Sequence, residues 1–164
     1  MFDLEIQEFA KRLLDLCKKH NTKLAIAESC TGGLLCGAIT DVPGASAVFD
    51  RGFITYSNES KIELLGVSQG FIDQFGAVSA PVAEEMAKGA LHSSNADVAI
   101  SITGIAGPEG GSVNKPVGLV FIGIATSKGI LLHYSCTLSG NRQAIRMAAV
   151  KEALRLVSSI AFDT

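Results

Sequence analysis

A chain of 164 residues that is 48% apolar and 18% charged can bury a sizeable core and is too apolar for a disordered polymer. Its formal net charge of −2 excludes a broad nucleic-acid surface, which needs clustered Lys and Arg, but not a local pocket for one phosphate.

The chain opens on Met1-Phe2-Asp3-Leu4-Glu5, which is acidic and lacks the basic stretch of a secretion signal. Apolar residues at Ile6, Phe9, Leu13, Leu14 and Cys17 then predict a helix over Ile6–Lys19. Lys18, Lys19 and His20 suit its negative end, and Asn21 can stop it. Lys23–Ala27 reads as a short buried strand, after which Thr31-Gly32-Gly33 opens a second helix that runs to Thr40. Phe49–Tyr56, rich in aromatic and β-branched residues, predicts the next strand. Ser57 or Asn58 then caps a helix whose first turn holds Lys61. Ser79-Ala80-Pro81 starts a helix to His92, with Pro81 in the first turn where its missing N–H costs nothing. Asp97–Thr103 makes a strand, and Gly104–Gly111 follows it as a glycine-rich loop.

Val117–Ala125 and Ile130–Cys136 flank Thr126-Ser127-Lys128-Gly129, the signature of a hairpin. The first of these apolar runs is about half the length of a membrane-spanning helix, so no contact with a membrane is expected. Asn141–Ile160 is a final amphipathic helix. The order of elements predicts one α/β domain over residues 1–164, a three-layer α/β/α arrangement with a mixed, mostly parallel sheet. Cys17, Cys30, Cys36 and Cys136 show no CxxC spacing, which fits free thiols in a reducing cytoplasm.

Four segments could carry chemistry. In Glu28-Ser29-Cys30-Thr31-Gly32-Gly33, a hydroxyl lies where a strand turns into a helix, near free amides and a positive helix end. That setting suits a phosphate or a developing oxyanion; Ser29 as an ordinary helix cap is the alternative. In Tyr56-Ser57-Asn58-Glu59-Ser60-Lys61, a lysine early in a helix meets an unfavourable dipole. With burial its pKa would fall toward that of a general base; the alternative is a surface lysine. The run from Thr103 through Gly104 to Gly107 and Gly111 could let backbone approach a nucleotide, or could be a floppy connection. Arg142 and Arg146, four residues apart on one helix face, suit a phosphate or a solvated surface. Cys30, beside Ser29, is a rival nucleophile.

Taken together, the stretches AESCTGGLLCGAIT, VFDRGFITYSNESK, FGAVSAPVAEEMA, SITGIAGPEGG, KPVGLVFIGIA and GNRQAIRMAA resemble the C-terminal domain of the CinA family. The resemblance implies hydrolysis of the carboxamide of nicotinamide mononucleotide by a serine assisted by a lysine and a tyrosine, without a metal or cofactor. Those roles fall on Ser29, Lys61 and Tyr56. Thr31, Gly32, Gly33, Thr103, Gly104 and Gly107 are then expected to line the substrate, with N–H groups around Cys30–Gly33 facing the oxyanion. Arg142, and less directly Arg146, is expected to meet the phosphate. The resemblance also implies a homo-oligomer. A nucleotide-binding module without chemistry is the competing class; it would keep the glycine loops and Arg142 but need neither Ser29 nor Lys61.

Overall fold

A computed structural model describes residues 1–162. Its sheet has five strands in the order β2-β1-β3-β4-β5: β1 (Leu24–Glu28), β2 (Phe49–Ile54), β3 (Val98–Gly104), β4 (Leu119–Thr126) and β5 (Leu131–Thr137). β1 pairs in parallel with both β2 and β3, whereas the β3–β4 and β4–β5 ladders are antiparallel. The mostly parallel sheet holds by strand direction, since only β4 runs against the rest.

Alternation along the strands explains the layers. Leu24 and Ile26 of β1, with Val98, Ile100 and Ile102 of β3, face a core shared with α1 (Leu4–Lys19), α2 (Leu34–Thr40) and α6 (Arg142–Ile160). The intervening residues are small: Ala25, Ala27 and Ala99 face α3 (Asn58–Leu65), α4 (Gln69–Phe75) and α5 (Ala80–His92). Small side chains on that face let α5 lie close. Ser101 donates from its hydroxyl to the Ala83 carbonyl of α5 at 2.5 Å and accepts the Gly123 N–H at 3.2 Å.

Local rules place most of the helix ends. Asp3 accepts the Ile6 N–H at 2.8 Å to start α1, and Asn21 leaves that helix in the left-handed region. Ser57 caps α3 through the Ser60 N–H, and Asn141 caps α6 through the Ala144 N–H. In the hairpin, Gly129 donates back to the Thr126 carbonyl at 3.0 Å.

Two elements depart from expectation. α4 was not expected; it is a short helix held by Ile72, which is buried against α5. α2 starts at Leu34 rather than at Thr31, because Gly32 and Gly33 take φ of 56° and 99°, which no helix continues. Ser29 therefore caps nothing.

The contact between α3 and α5 fixes where α3 stands. At Gly89 of α5, an added Cβ would fall onto the Leu65 carbonyl at the end of α3. Gly89→Ala is expected to push the helices apart and lower unfolding stability by about 1–3 kcal/mol, read by urea titration.

Candidate active site

β1 continues into α2 on one face of the sheet, and the chain from β2 returns through α3, α4 and α5 on the other to form β3. The two crossovers thus leave the carboxyl ends of the neighbouring strands β1 and β2 toward opposite faces, at the edge where open α/β sheets present ligand sites. Glu28 ends β1, and Ser29 follows, its N–H donated to the Ile102 carbonyl of β3 at 3.0 Å. On the other side of β1, Thr55 leaves β2 and donates its N–H to the Glu28 carbonyl at 2.8 Å. These two bonds bring the segment after β2, and with it α3, beside Ser29.

Lys61, on α3, is 1% exposed. Its Nζ lies 3.1 Å from Ser29 Oγ, 2.8 Å from the Thr55 carbonyl oxygen and 3.3 Å from that of Tyr56. No carboxylate pairs with it among the described residues. Burial holds its pKa below the ordinary lysine range. The surface-lysine alternative is therefore excluded, and Ser29 and Lys61, which the family resemblance brings together, are in hydrogen-bond contact.

The Cys30 alternative fares differently. Its thiol is buried and pushed up to about 11 by desolvation, which leaves very little thiolate near neutral pH.

Tyr56 is 62% exposed, and its hydroxyl accepts from Arg142 at 3.0 Å rather than meeting Ser29 or Lys61. Its bond to Lys61 runs through the main-chain carbonyl. Arg142 also donates to the Gly107 carbonyl at 2.7 Å, so Tyr56, Gly107 and Arg142 form one cluster. Arg146 turns the other way: Nε donates to the Cys30 carbonyl and Nη2 to that of Thr31, each at 3.0 Å. Its guanidinium is engaged with the loop after Ser29.

Glu28 was missed as a site residue. It is fully buried, and its carboxylate accepts the N–H of Gly33 at 3.1 Å, Leu35 at 3.1 Å and Cys36 at 2.8 Å. The expectation that the start of α2 would bind a substrate anion is thus corrected, because an internal carboxylate already occupies that positive end. Gly32 N–H is also spent, on the Ser29 carbonyl at 3.0 Å. Of the amides expected to face an oxyanion, Cys30 and Thr31 are the two without an acceptor oxygen among the described residues.

Thr31 and Thr103 are buried; the Thr103 hydroxyl donates to the Ala77 carbonyl at 2.9 Å. At Gly104 an added Cβ would meet Val120 Cγ2 at 2.7 Å and the Leu119 carbonyl oxygen at 2.9 Å. That glycine serves close packing on β4. The loop beyond it is tied down by Ile105, which donates to Leu119 and accepts from Gly118, so it is no floppy connection.

Among the described residues, no group of three or more His, Cys, Asp or Glu side chains is placed to hold a metal ion, and no helix is long and apolar enough to cross a membrane.

Fold and site together define an α/β domain with a buried serine–lysine pair at the carboxyl edge of its parallel strands. The sequence profile of the CinA C-terminal domain matches residues 6–161, and the chain belongs to that family. A nicotinamide-nucleotide amidohydrolase PncC of Enterobacter agglomerans is 48% identical over 155 residues, which cover 94% of each chain. A Caldicellulosiruptor saccharolyticus protein named for competence-damage induction is 52% identical over 154 residues, but the match spans only 37% of that longer relative. The crystal structure of the competence/damage inducible protein CihA of Agrobacterium tumefaciens superposes with a TM-score of 0.95 at 44% identity, covering 100% of this chain and 99% of that one.

Proposed function

We propose that this chain hydrolyses the carboxamide of nicotinamide mononucleotide to nicotinate mononucleotide and ammonia, with Ser29 as nucleophile. The observation that carries the reading is the buried contact of 3.1 Å between Lys61 Nζ and Ser29 Oγ. The name of the Enterobacter relative, which matches end to end, supplies the substrate.

The surroundings of Lys61 suit a neutral amine. Such an amine has two N–H bonds, which the Thr55 and Tyr56 carbonyls accept, and one lone pair, which is left for the Ser29 hydroxyl. Ser29 Oγ attacks the amide carbon as its proton passes to Lys61 Nζ. The negative carbonyl oxygen is met by the Cys30 and Thr31 N–H groups. When the C–N bond breaks, Lys61 returns the proton to the leaving nitrogen and ammonia departs. Water then attacks the acyl ester and gives its proton to Lys61, which passes it to Oγ as the C–Oγ bond breaks, restoring both Ser29 and the neutral amine.

Tyr56 assists by holding Lys61 through its carbonyl and by orienting Arg142 through its hydroxyl. Arg142 is exposed, with guanidinium hydrogens beyond those given to Tyr56 and Gly107, and is the group we assign to the phosphate. Gly32, Gly33, Thr31, Thr103, Gly104 and Gly107 surround the same edge of the sheet as candidate walls for the nucleotide. A role in pyridine nucleotide salvage in the cytoplasm, as a homo-oligomer, follows from the same reading.

Ammonia release from nicotinamide mononucleotide in the presence of a chelator tests the proposal. Wild type should release it, and Ser29→Ala should fall by about 10⁴-fold or more while still binding the nucleotide. No release from folded wild type would favour the binding module. Release that survives Ser29→Ala would remove Ser29 as nucleophile.

A further inference from the structure

Arg146 reaches back across the sequence to the turn that follows Ser29. Its Nε and Nη2 each hold one carbonyl oxygen of that turn, of Cys30 and of Thr31, at 3.0 Å. The approach is close: a Cβ on Gly32 would meet Nη2 at 3.3 Å. A side chain engaged by two adjacent carbonyls is badly placed to grip a phosphate as well.

Carbonyl and N–H of one trans peptide point in opposite directions. Fixing the Cys30 carbonyl therefore fixes the Thr31 N–H, which belongs to the same peptide and points away from the guanidinium. Fixing the Thr31 carbonyl likewise directs the Gly32 N–H, and that group closes the turn onto the Ser29 carbonyl. Closing the turn orients the Ser29–Cys30 peptide and so the Cys30 N–H. The two amides left without an acceptor oxygen are the ones whose planes this chain of bonds controls.

We propose that Arg146 is a positioning residue, whose guanidinium sets the peptide planes after Ser29 so that the Cys30 and Thr31 N–H groups form the oxyanion hole. The inference rests on the serine-hydrolase reading above. A cation on the carbonyl oxygens also polarises the peptides and strengthens their N–H groups as donors. Arg146 acts through these amides and touches no reacting atom.

The test compares wild type with Arg146→Met and Arg146→Lys in ammonia release from nicotinamide mononucleotide. It also follows the rate at which a p-nitrophenyl phosphonate ester modifies Ser29, with p-nitrophenolate as the leaving group. Arg146→Met should lower kcat by about 10²-fold, the effect of losing one oxyanion donor, with KM changed by less than about threefold. Phosphonylation should slow in parallel, because its oxyanion uses the same amides. Arg146→Lys, able to hold only one carbonyl well, should fall between. Added guanidinium ion should restore activity to Arg146→Ala.

A raised KM with unchanged kcat would make Arg146 a phosphate ligand and overturn the proposal. If Arg146→Met does not fold, the lysine variant and guanidinium rescue decide; wild-type kcat in the first, or absent rescue in the second, would equally overturn it. If wild type is phosphonylated but releases no ammonia, the substrate reading fails, and the ratio of phosphonylation rates still decides the role of Arg146.

Discussion

Lys61→Met should lower kcat for amide hydrolysis by about 10²–10⁴-fold, the range that a positioned general base supplies. The side chain keeps its length and its buried place, so the loss would report the missing lone pair at Ser29 Oγ. On the proposed mechanism Ser29 and Lys61 act as one unit, so the double variant Ser29→Ala/Lys61→Met should be scarcely slower than Ser29→Ala alone. A multiplicative loss in the double variant would mean that the two groups act independently, against the contact between them.

The same lysine sets the pH dependence. Its folded-state pKa is lowered by burial from the ordinary 10.5. As pH falls through the lowered value the amine is protonated and loses its lone pair, so kcat/KM should decline on the acid side. Stability follows with its own sign. Between the lowered pKa and 10.5 the unfolded chain binds more protons at this site than the folded one, so the Lys61 contribution makes stability rise with pH. Below that window both states are charged, and the full cost of burying the cation is present. In Lys61→Met this component of the slope should vanish, which urea titrations at several pH values would detect.

The second large effect is expected at Glu28. Its fully buried carboxylate is the acceptor for three amides at the start of α2, that of Leu35 buried and those of Gly33 and Cys36 half-buried. Glu28→Gln keeps one acceptor oxygen but turns an NH₂ group toward amides that need an acceptor. We expect a loss of about 2–4 kcal/mol in unfolding free energy, since buried donors left without partners cost about 1–3 kcal/mol each. Activity should suffer at temperatures where the variant remains folded, because Ser29 is the next residue and a shift of about 1 Å can cost about 10²-fold. Equal stability of Glu28→Gln and wild type at neutral pH would show that the carboxylate is not what organises this turn.

The strands and longer helices could be read from the chain because each obeys a local rule. The alternation of Ala25 and Ala27 with Leu24 and Ile26, the Ser57 and Asn141 caps and the Pro81 start are all visible within a few residues. α4 escaped because it has only seven residues and contains Gly70. The late start of α2 escaped because it depends on Gly32 and Gly33 taking left-handed φ, and a glycine in sequence does not show which φ it will take. Ser29 and Lys61 could be named individually, but their contact depends on β1 lying beside β2. The direction of a side chain was the least legible quantity. Arg142 and Arg146 sit one turn apart and read alike, yet one joins Tyr56 and the other grips a turn 116 residues earlier in the chain.

That last contact ties the end of the chain to its beginning. All five strands, with Ser29 and Lys61, precede α6 in the chain. The guanidinium that braces the turn after Ser29 arrives only with α6, which also covers one face of the sheet. Without Arg146 the Cys30 and Thr31 carbonyls would lose their side-chain donors. On the proposed mechanism, α6 would thus be as much a part of the oxyanion site as the turn that carries Ser29.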